Sequence, residues 1–183
     1  MRIKQIYILV FEAFLFLSVS NAVAQFSVGA ELGLPISNFS NQASPGFGAS
    51  VRYEASLLDN LNWTGSAGFV SFAGKAYLGG AFGNVSVIPL VGGLKYYFGE
   101  ANNGLYAAAD LGLNIIHYSV AYPNQGNGLG VTFASASATR FGFAPGVGYR
   151  LGHWDFTGRF NLMPDFTYFG LRAAYVFGGK LEN

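Results

Sequence analysis

Two side chains with the chemistry of an acyl-transfer enzyme, His117 and Ser119, lie two residues apart. In an extended strand, residues at this spacing project from the same face, so the imidazole and the hydroxyl would be neighbours. An imidazole can activate a serine nucleophile as a general base, provided that a third group orients the histidine. No aspartate or glutamate occurs between Asp110 and Asp155. The pair therefore offers a nucleophile and a base, but the sequence around it lacks the orienting acid.

Other common sites are not favoured. The absence of cysteine excludes thiolate metal ligands and disulfides, and the two histidines, His117 and His153, fall at opposite ends of the fold predicted below. Gly126, Gly128 and Gly130 do not join a strand to a helix, so they do not predict a phosphate-binding loop. A net charge of +1 with scattered basic residues argues against nucleic-acid binding. We predict no catalytic, cofactor-binding or metal-binding residues and no cofactor.

The first residues have the pattern of a secretory signal peptide. Arg2 and Lys4 form a basic start, an apolar run follows, and Ala22-Val23-Ala24 supplies the small residues of a cleavage site. The alternative, a retained anchor, needs about 20 apolar residues, and the run is shorter. We predict a signal peptide over 1–24, export to the periplasm, and one mature domain over 25–183.

The composition of the chain indicates a membrane protein. Hydrophobic residues make up 51% of the sequence, aromatic residues 17% and charged residues only 10%, which is unusual for a soluble domain. Beyond the leader no uncharged apolar stretch is long enough for a spanning helix, so the chain can cross a bilayer only as a closed barrel. We therefore predict an all-β fold, a transmembrane antiparallel up-and-down β-barrel.

Alternation of apolar residues with small or polar ones recurs in eight segments, as it does in barrels with an apolar outer face. The predicted strands cover 26–36, 46–57, 61–73, 84–98, 105–120, 138–151, 154–162 and 166–177. The phase of the third is uncertain, because Trp63 and Phe69 have one parity and Val70 and Phe72 the other. Pro89 cannot donate to a ladder and predicts a bulge or distorted pairing in the fourth.

Connection lengths agree with this topology. Alternate connections are short, at 58–60, 99–104 and 152–153, as expected for periplasmic turns. The connections at 37–45 and 121–137, and a third at 74–83, are longer and rich in Gly, Asn and Ser. They predict extracellular loops.

The assigned parities place the charged residues of the strands on the inner face. We predict that they form a paired structural network in a filled polar lumen, because unpaired buried charge is costly and eight strands leave an interior just wide enough for side chains. The predicted network comprises Glu31, Arg52, Glu54, Lys95, Asp110, Arg140, Arg159 and Arg172.

Aromatic residues cluster near both ends of the predicted strands, as in the interfacial girdles of membrane barrels. With this architecture the chain resembles the OmpX-like and OmpA-like eight-stranded barrels, in the broad group of outer-membrane β-barrel or porin-family proteins, over 26–177. In that group a terminal aromatic in the last strand is recognised by the barrel-assembly machinery, and the end of this chain is similar at Tyr175 and Phe177. Arg172 departs from the glycine usual in that signal, and residues follow the last aromatic.

A second resemblance concerns the His117–Ser119 pair. Lipid A deacylases are small outer-membrane barrels with a His-x-Ser pair that faces the membrane near the outer leaflet. Where that family places its orienting carboxylate, this chain has Val131. The resemblance therefore lacks one catalytic group.

Four functions are considered as hypotheses. The first is a non-enzymatic outer-membrane barrel, a monomer with a structural or surface-interaction role, surrounded by lipids that include lipopolysaccharide. The alternatives within the membrane are a lipid A deacylase and a narrow channel for small solutes. A soluble lipocalin-like barrel would have to hold the bulky residues inside, where an eight-stranded barrel has no room for them. The extracellular partner cannot be read from the sequence.

Overall fold

In the computed structural model the strands form one closed antiparallel barrel, in which each strand pairs with its neighbour in sequence and the last pairs with the first. The structure describes residues 25–41, 43–75, 82–99, 102–123, 131–164 and 166–178, with side chains left undescribed at 82, 120–123 and 131–133. The predicted signal peptide lies outside these residues.

The eight strands predicted from the sequence are confirmed. Their bounds are β1 Gln25–Pro35, β2 Ala43–Leu58, β3 Leu61–Gly74, β4 Phe82–Tyr97, β5 Gly104–Pro123, β6 Val131–Leu151, β7 Trp154–Met163 and β8 Phe166–Phe177. A 3₁₀ helix at Ser37–Asn41, the rim helix, follows β1. No helix among the described residues is long and apolar enough to cross a membrane.

The prediction of a long loop over 121–137 was wrong for most of its length. β5 and β6 remain paired up to Pro123↔Val131, so the strands run well beyond the predicted ends. The run of alternating Ala and Ser over 134–138 was interpreted as a loop because neither parity is bulky. Small residues nevertheless suit a paired strand whose two faces both meet water.

The two ends of the barrel differ. The turn end carries the start of β1, the end of β8 and the connections at 59–60, 98–103 and 152–153. The loop end carries the other connections. On one side of the loop end β7 and β8 meet at Met163 and Phe166, whereas β5 and β6 extend to 123 and 131. The barrel therefore has a short side at β7–β8–β1 and a tall side at β3–β6.

The outward face is an apolar band. Large hydrophobic side chains project from every strand with much of their surface uncovered, as at Phe47 (69% exposed) and Leu151 (62% exposed). Among the described residues no charged side chain interrupts this band. Such a surface is stable only against an apolar solvent, so the strands span a membrane.

β3 keeps one phase throughout. Its even-numbered residues face inward, first Asn62 and Thr64 and then Val70 and Phe72. The apparent change of parity arises because the interior itself changes from polar to apolar along the barrel. The distorted pairing predicted at Pro89 occurs: the β3–β4 ladder is interrupted between Ala67↔Leu90 and Val70↔Val87, without a register shift.

Candidate functional site

The turn-end half of the interior is organised around Lys95, which is fully buried. Its Nζ lies 2.9 Å from Glu54 Oε2 and 2.6 Å from Asp155 Oδ2. The same ammonium group lies 4.1 Å from the centroid of the Tyr106 ring, a cation–π contact. These residues, Glu54, Lys95 and Asp155, form the lysine cluster, in which one cation neutralises part of the charge of two carboxylates.

Neutral side chains complete the lysine cluster. Tyr97 donates to Glu54 Oε1 over 3.0 Å, Asn62 donates to the same oxygen over 2.7 Å, and Tyr106 donates to Asp155. Gly148 makes room for Tyr106, because a Cβ at this glycine would lie 2.2 Å from the tyrosine oxygen. Both carboxylates thus have hydrogen-bond donors in addition to the ammonium group.

A second group of charges lies next to the lysine cluster and consists of Glu31, Arg52, Asp110, Arg159 and Arg172, the arginine cluster. Arg52 Nη2 lies 2.7 Å from Asp110 Oδ2. Arg159 Nη2 lies 2.8 Å from Glu31 Oε1, and Arg172 Nε lies 3.7 Å from the same oxygen. Arg172 also donates to hydroxyl groups of β1 and β2. The cluster therefore connects β1, β2, β5, β7 and β8 across the interior.

The loop-end half of the interior is apolar. Phe39 of the rim helix turns into the barrel, where its ring lies 3.8 Å from that of Phe166 and 5.2 Å from that of Phe72, between ring centroids. Val70, Val87, Ile116, Met163 and Tyr168 pack in the same cluster, the apolar plug. The sequence predicted a polar lumen throughout. That prediction was wrong for the loop-end half, whose interior is apolar.

Seven of the eight residues of the predicted network lie buried in the two clusters, and Arg140 does not. It has the inward parity of β6 but is exposed, and it forms no ion pair with a described residue. The ladder between β6 and β7 begins only at Phe143↔Leu162, so Arg140 lies on the part of β6 that pairs only with β5 among the described residues, beyond the closed part of the barrel. Two buried charges were left out of the predicted network, Asp155 and Arg150, although the parity of their strands points inward.

His117 and Ser119 lie on the outward face of β5 and are exposed. His117 Nδ1 lies 2.7 Å from the hydroxyl of Ser137 on β6, its cross-strand neighbour. No carboxylate hydrogen-bonds to this imidazole among the described residues. The arrangement is a His–Ser contact within a polar patch above the apolar band.

Tyr175 and Phe177, the predicted assembly signal, project outward at the end of β8. Their rings lie 5.0 Å apart, and Tyr175 contacts the rings of Trp154 and His153. They form part of the turn-end aromatic belt. In the described part of the chain no group of three potential metal ligands lies together.

Several solved structures of outer-membrane proteins have a similar fold. Ail, the attachment invasion locus protein of Yersinia pestis, in complex with the heparin analogue sucrose octasulfate, superposes with a TM-score of 0.59 at 12% identity, over 86% of this chain and 100% of that chain. A major outer membrane protein from Thermus thermophilus superposes with a TM-score of 0.51 at 16% identity, over 84% and 99%. The fold is that of a small outer-membrane β-barrel. Neither a family model nor a curated protein sequence matches the chain.

A small outer-membrane barrel filled in this way should not conduct. Both halves of the interior are occupied, one by ion pairs and the other by the apolar plug, and water-filled porins use about 16 strands or more. Planar-bilayer recordings of the refolded protein should show no steady, large conductance. Stable nanosiemens channels that Glu54→Ala alters and Arg140→Ala leaves unchanged would contradict this expectation and favour a transport function.

We also expect His117 and Ser119 to have no lipid A deacylase activity. Because no acid orients the imidazole among the described residues, His117→Ala and Ser119→Ala should leave lipid A acylation unchanged. The measurement is the mass spectrum of lipid A from cells that express each variant or the wild-type chain. A loss of acyl groups with the wild type that either variant abolishes would establish the deacylase alternative.

Proposed function

We propose that this protein is a non-enzymatic, monomeric barrel of the Gram-negative outer membrane, and that its tall side binds extended segments of a partner outside the cell. The observation that carries the proposal is an open sheet edge. β6 pairs with β5 along its whole length, but its pairing with β7 covers only the part from Phe143 onward. Residues 131–142 thus have no strand on one side among the described residues.

Within the described part of the chain, this edge is long and lacks most of the features that usually protect sheet edges. Twelve strand residues extend roughly 40 Å at about 3.3 Å per residue. Natural sheet edges are usually blunted by Pro, by bulges or by charged side chains. Residues 131–142 contain no Pro, their ladder with β5 has no register shift, and Arg140 is their only charge. Such an edge can receive an additional strand through main-chain hydrogen bonds.

Pro145 shows which residues present backbone groups to the edge. Pro145 pairs with Ala109 in the ladder with β5. On its other side, the ladder with β7 is interrupted between Phe143↔Leu162 and Gly146↔Arg159, which includes the position of Pro145. Its missing N–H is therefore on the β7 side. Backbone direction alternates along a strand, so the odd-numbered residues, including Ser135 and Thr139, direct N–H and C=O groups toward the open edge.

The experiment compares two substitutions at one of these residues. Ser135→Pro removes an edge N–H, whereas Ser135→Ala removes the same hydroxyl and keeps the N–H. A random peptide display library is selected on the refolded barrel in nanodiscs, and the affinities of selected peptides are then measured. We expect Ser135→Pro to weaken binding at least tenfold and Ser135→Ala to leave it unchanged. Equal affinity for both variants would refute binding at this edge.

The proposed location is supported by the outward apolar band, by its aromatic belts and by the fold. In that location the barrel would be surrounded by outer-membrane lipids, including lipopolysaccharide. The barrel-assembly machinery would recognise Tyr175 and Phe177 during insertion. In density-gradient fractionation the protein should migrate with outer membranes, and unheated samples should run differently on gels. Release by osmotic shock would contradict the location.

The described residues do not favour a binding site for sulfated saccharides like the heparin analogue in the Ail structure. Of the seven basic residues described, five are buried in the barrel. The other two are Lys75, whose Nζ donates to the Ser40 carbonyl over 2.7 Å, and Arg140. Two separate cations do not form a basic patch.

A further inference from the structure

The described interior buries more positive than negative charge. Five basic and four acidic side chains are each less than a tenth exposed, an excess of one positive charge. They are Arg52, Lys95, Arg150, Arg159 and Arg172, with Glu31, Glu54, Asp110 and Asp155. In the arginine cluster three guanidinium groups share only two carboxylates. The arginine cluster alone therefore carries one surplus positive charge, and its guanidinium groups favour an anion beside them because buried charge without an adjacent counter-charge is costly. The neighbouring lysine cluster carries one surplus carboxylate.

Hydrogen-bond donors of the same cluster lack acceptors. Within the described residues no hydrogen bond is formed by Nε and Nη1 of Arg52, by Nε of Arg159 or by Nη1 of Arg172, nor by Nδ2 of Asn161, which lies beside this cluster on β7. All these groups are buried donors. An unpaired buried donor destabilises the folded state, so a ligand that only accepts hydrogen bonds would be stabilised here.

Two of the residues that carry these donors, Arg159 and Asn161, line a small cavity of about 20 Å³ together with Ser50, Asp110, Asn114 and Met163, among others. About 10–15 Å³ is the minimum that admits one water molecule, so this cavity has room for a ligand of about that size. The Asp110 carboxylate also borders the cavity, but its oxygens accept hydrogen bonds from Arg52 and Thr64.

We propose that this cavity binds one monovalent anion of the halide class, chloride in the cell. The ion accepts hydrogen bonds from Arg159 and Asn161 and offsets the surplus positive charge of the arginine cluster. It is a structural ion of the barrel, and its binding does not depend on partner binding at the open edge of β6.

The test uses the full mature barrel, refolded separately in sodium bromide and in sodium gluconate at equal ionic strength. A ligand that binds only the folded state raises the melting temperature, and the rise increases with the logarithm of its concentration. We expect bromide to raise the Tm relative to gluconate. Crystals of wild-type protein grown in bromide should show an anomalous peak between Arg159 and Asn161.

Two variants with the same change of charge distinguish the cavity from a general salt effect. Asn161→Asp places a carboxylate at the cavity and should abolish the difference in Tm between bromide and gluconate. Asn84→Asp adds the same charge at an exposed position of β4 and should retain the difference. If wild-type Tm is equal in both salts and the cavity shows no anomalous peak, the cavity holds water and the proposal is wrong. Equal halide dependence in both variants would also overturn it.

Discussion

Replacing Lys95 with methionine should destabilise the barrel by about 3 to 5 kcal/mol, the usual cost of removing one partner from a buried ion pair. Lys95 is the only cation that pairs with Glu54 and Asp155 among the described residues, so its loss leaves two carboxylates facing each other in the interior. The change keeps most of the aliphatic chain. The free energy of unfolding would be measured by urea titration of protein refolded in lipid vesicles.

Two further variants control for this effect. Lys75→Met makes the same substitution at an exposed position and should change the unfolding free energy by no more than about 0.5 kcal/mol. The triple variant Lys95→Met, Glu54→Gln, Asp155→Asn removes the whole set of charges and should recover much of the loss, because neutral replacement of a complete buried pair is often tolerated. A Lys95→Met variant as stable as Lys75→Met would show that the lysine cluster does not contribute to stability.

The second large effect is expected on the outward face. Leu111→Arg should cost about 2 to 4 kcal/mol, since Leu111 lies in the middle of the apolar stretch that β5 presents from Leu105 to Ile115. Val147→Arg and Leu171→Arg should behave alike. The measurement is refolding in vesicles of increasing acyl-chain length, where the cost should grow with bilayer thickness.

Ser119→Arg is the matched control for Leu111→Arg. It lies on the same strand and the same face, above the apolar stretch, and should cost little. Gly148→Ala is a contrast for the interior: its Cβ would collide with Tyr106, so it should destabilise the barrel equally in thin and thick bilayers. Equal costs for Leu111→Arg and Ser119→Arg would mean that the membrane does not contact Leu111.

The sequence predicted the strands because side-chain parity alternates with a period of two, whatever the surroundings. Parity identifies a face but not a height along the barrel. Arg140 illustrates the difference, since it has the inward parity and yet lies beyond the point where β7 stops pairing with β6. Height depends on the stagger of all eight strands, which no single segment encodes.

The apolar plug was missed for a related reason. The pattern of apolar outer and polar inner residues assumes a polar interior, so Val70 and Phe72 made the phase of β3 uncertain. Their burial depends on Phe39, which reaches them from a different connection. The sequence did not predict which charges pair with each other, because partners such as Glu31 and Arg159 are 128 residues apart in the chain.

Glu31, near one end of the described chain, meets two cations near the other. It lies on β1, and its partners Arg159 and Arg172 lie on β7 and β8. During insertion we expect Glu31 and Arg172 to lack each other as partners until the last strand joins the first. A sheet that still lacks that junction does not gain the Glu31–Arg172 contact, so we expect a partly closed intermediate to be less stable than the closed barrel. These ion pairs stabilise the junction between β1 and β8. A barrel that lacks its final strand should therefore not stay folded in the bilayer.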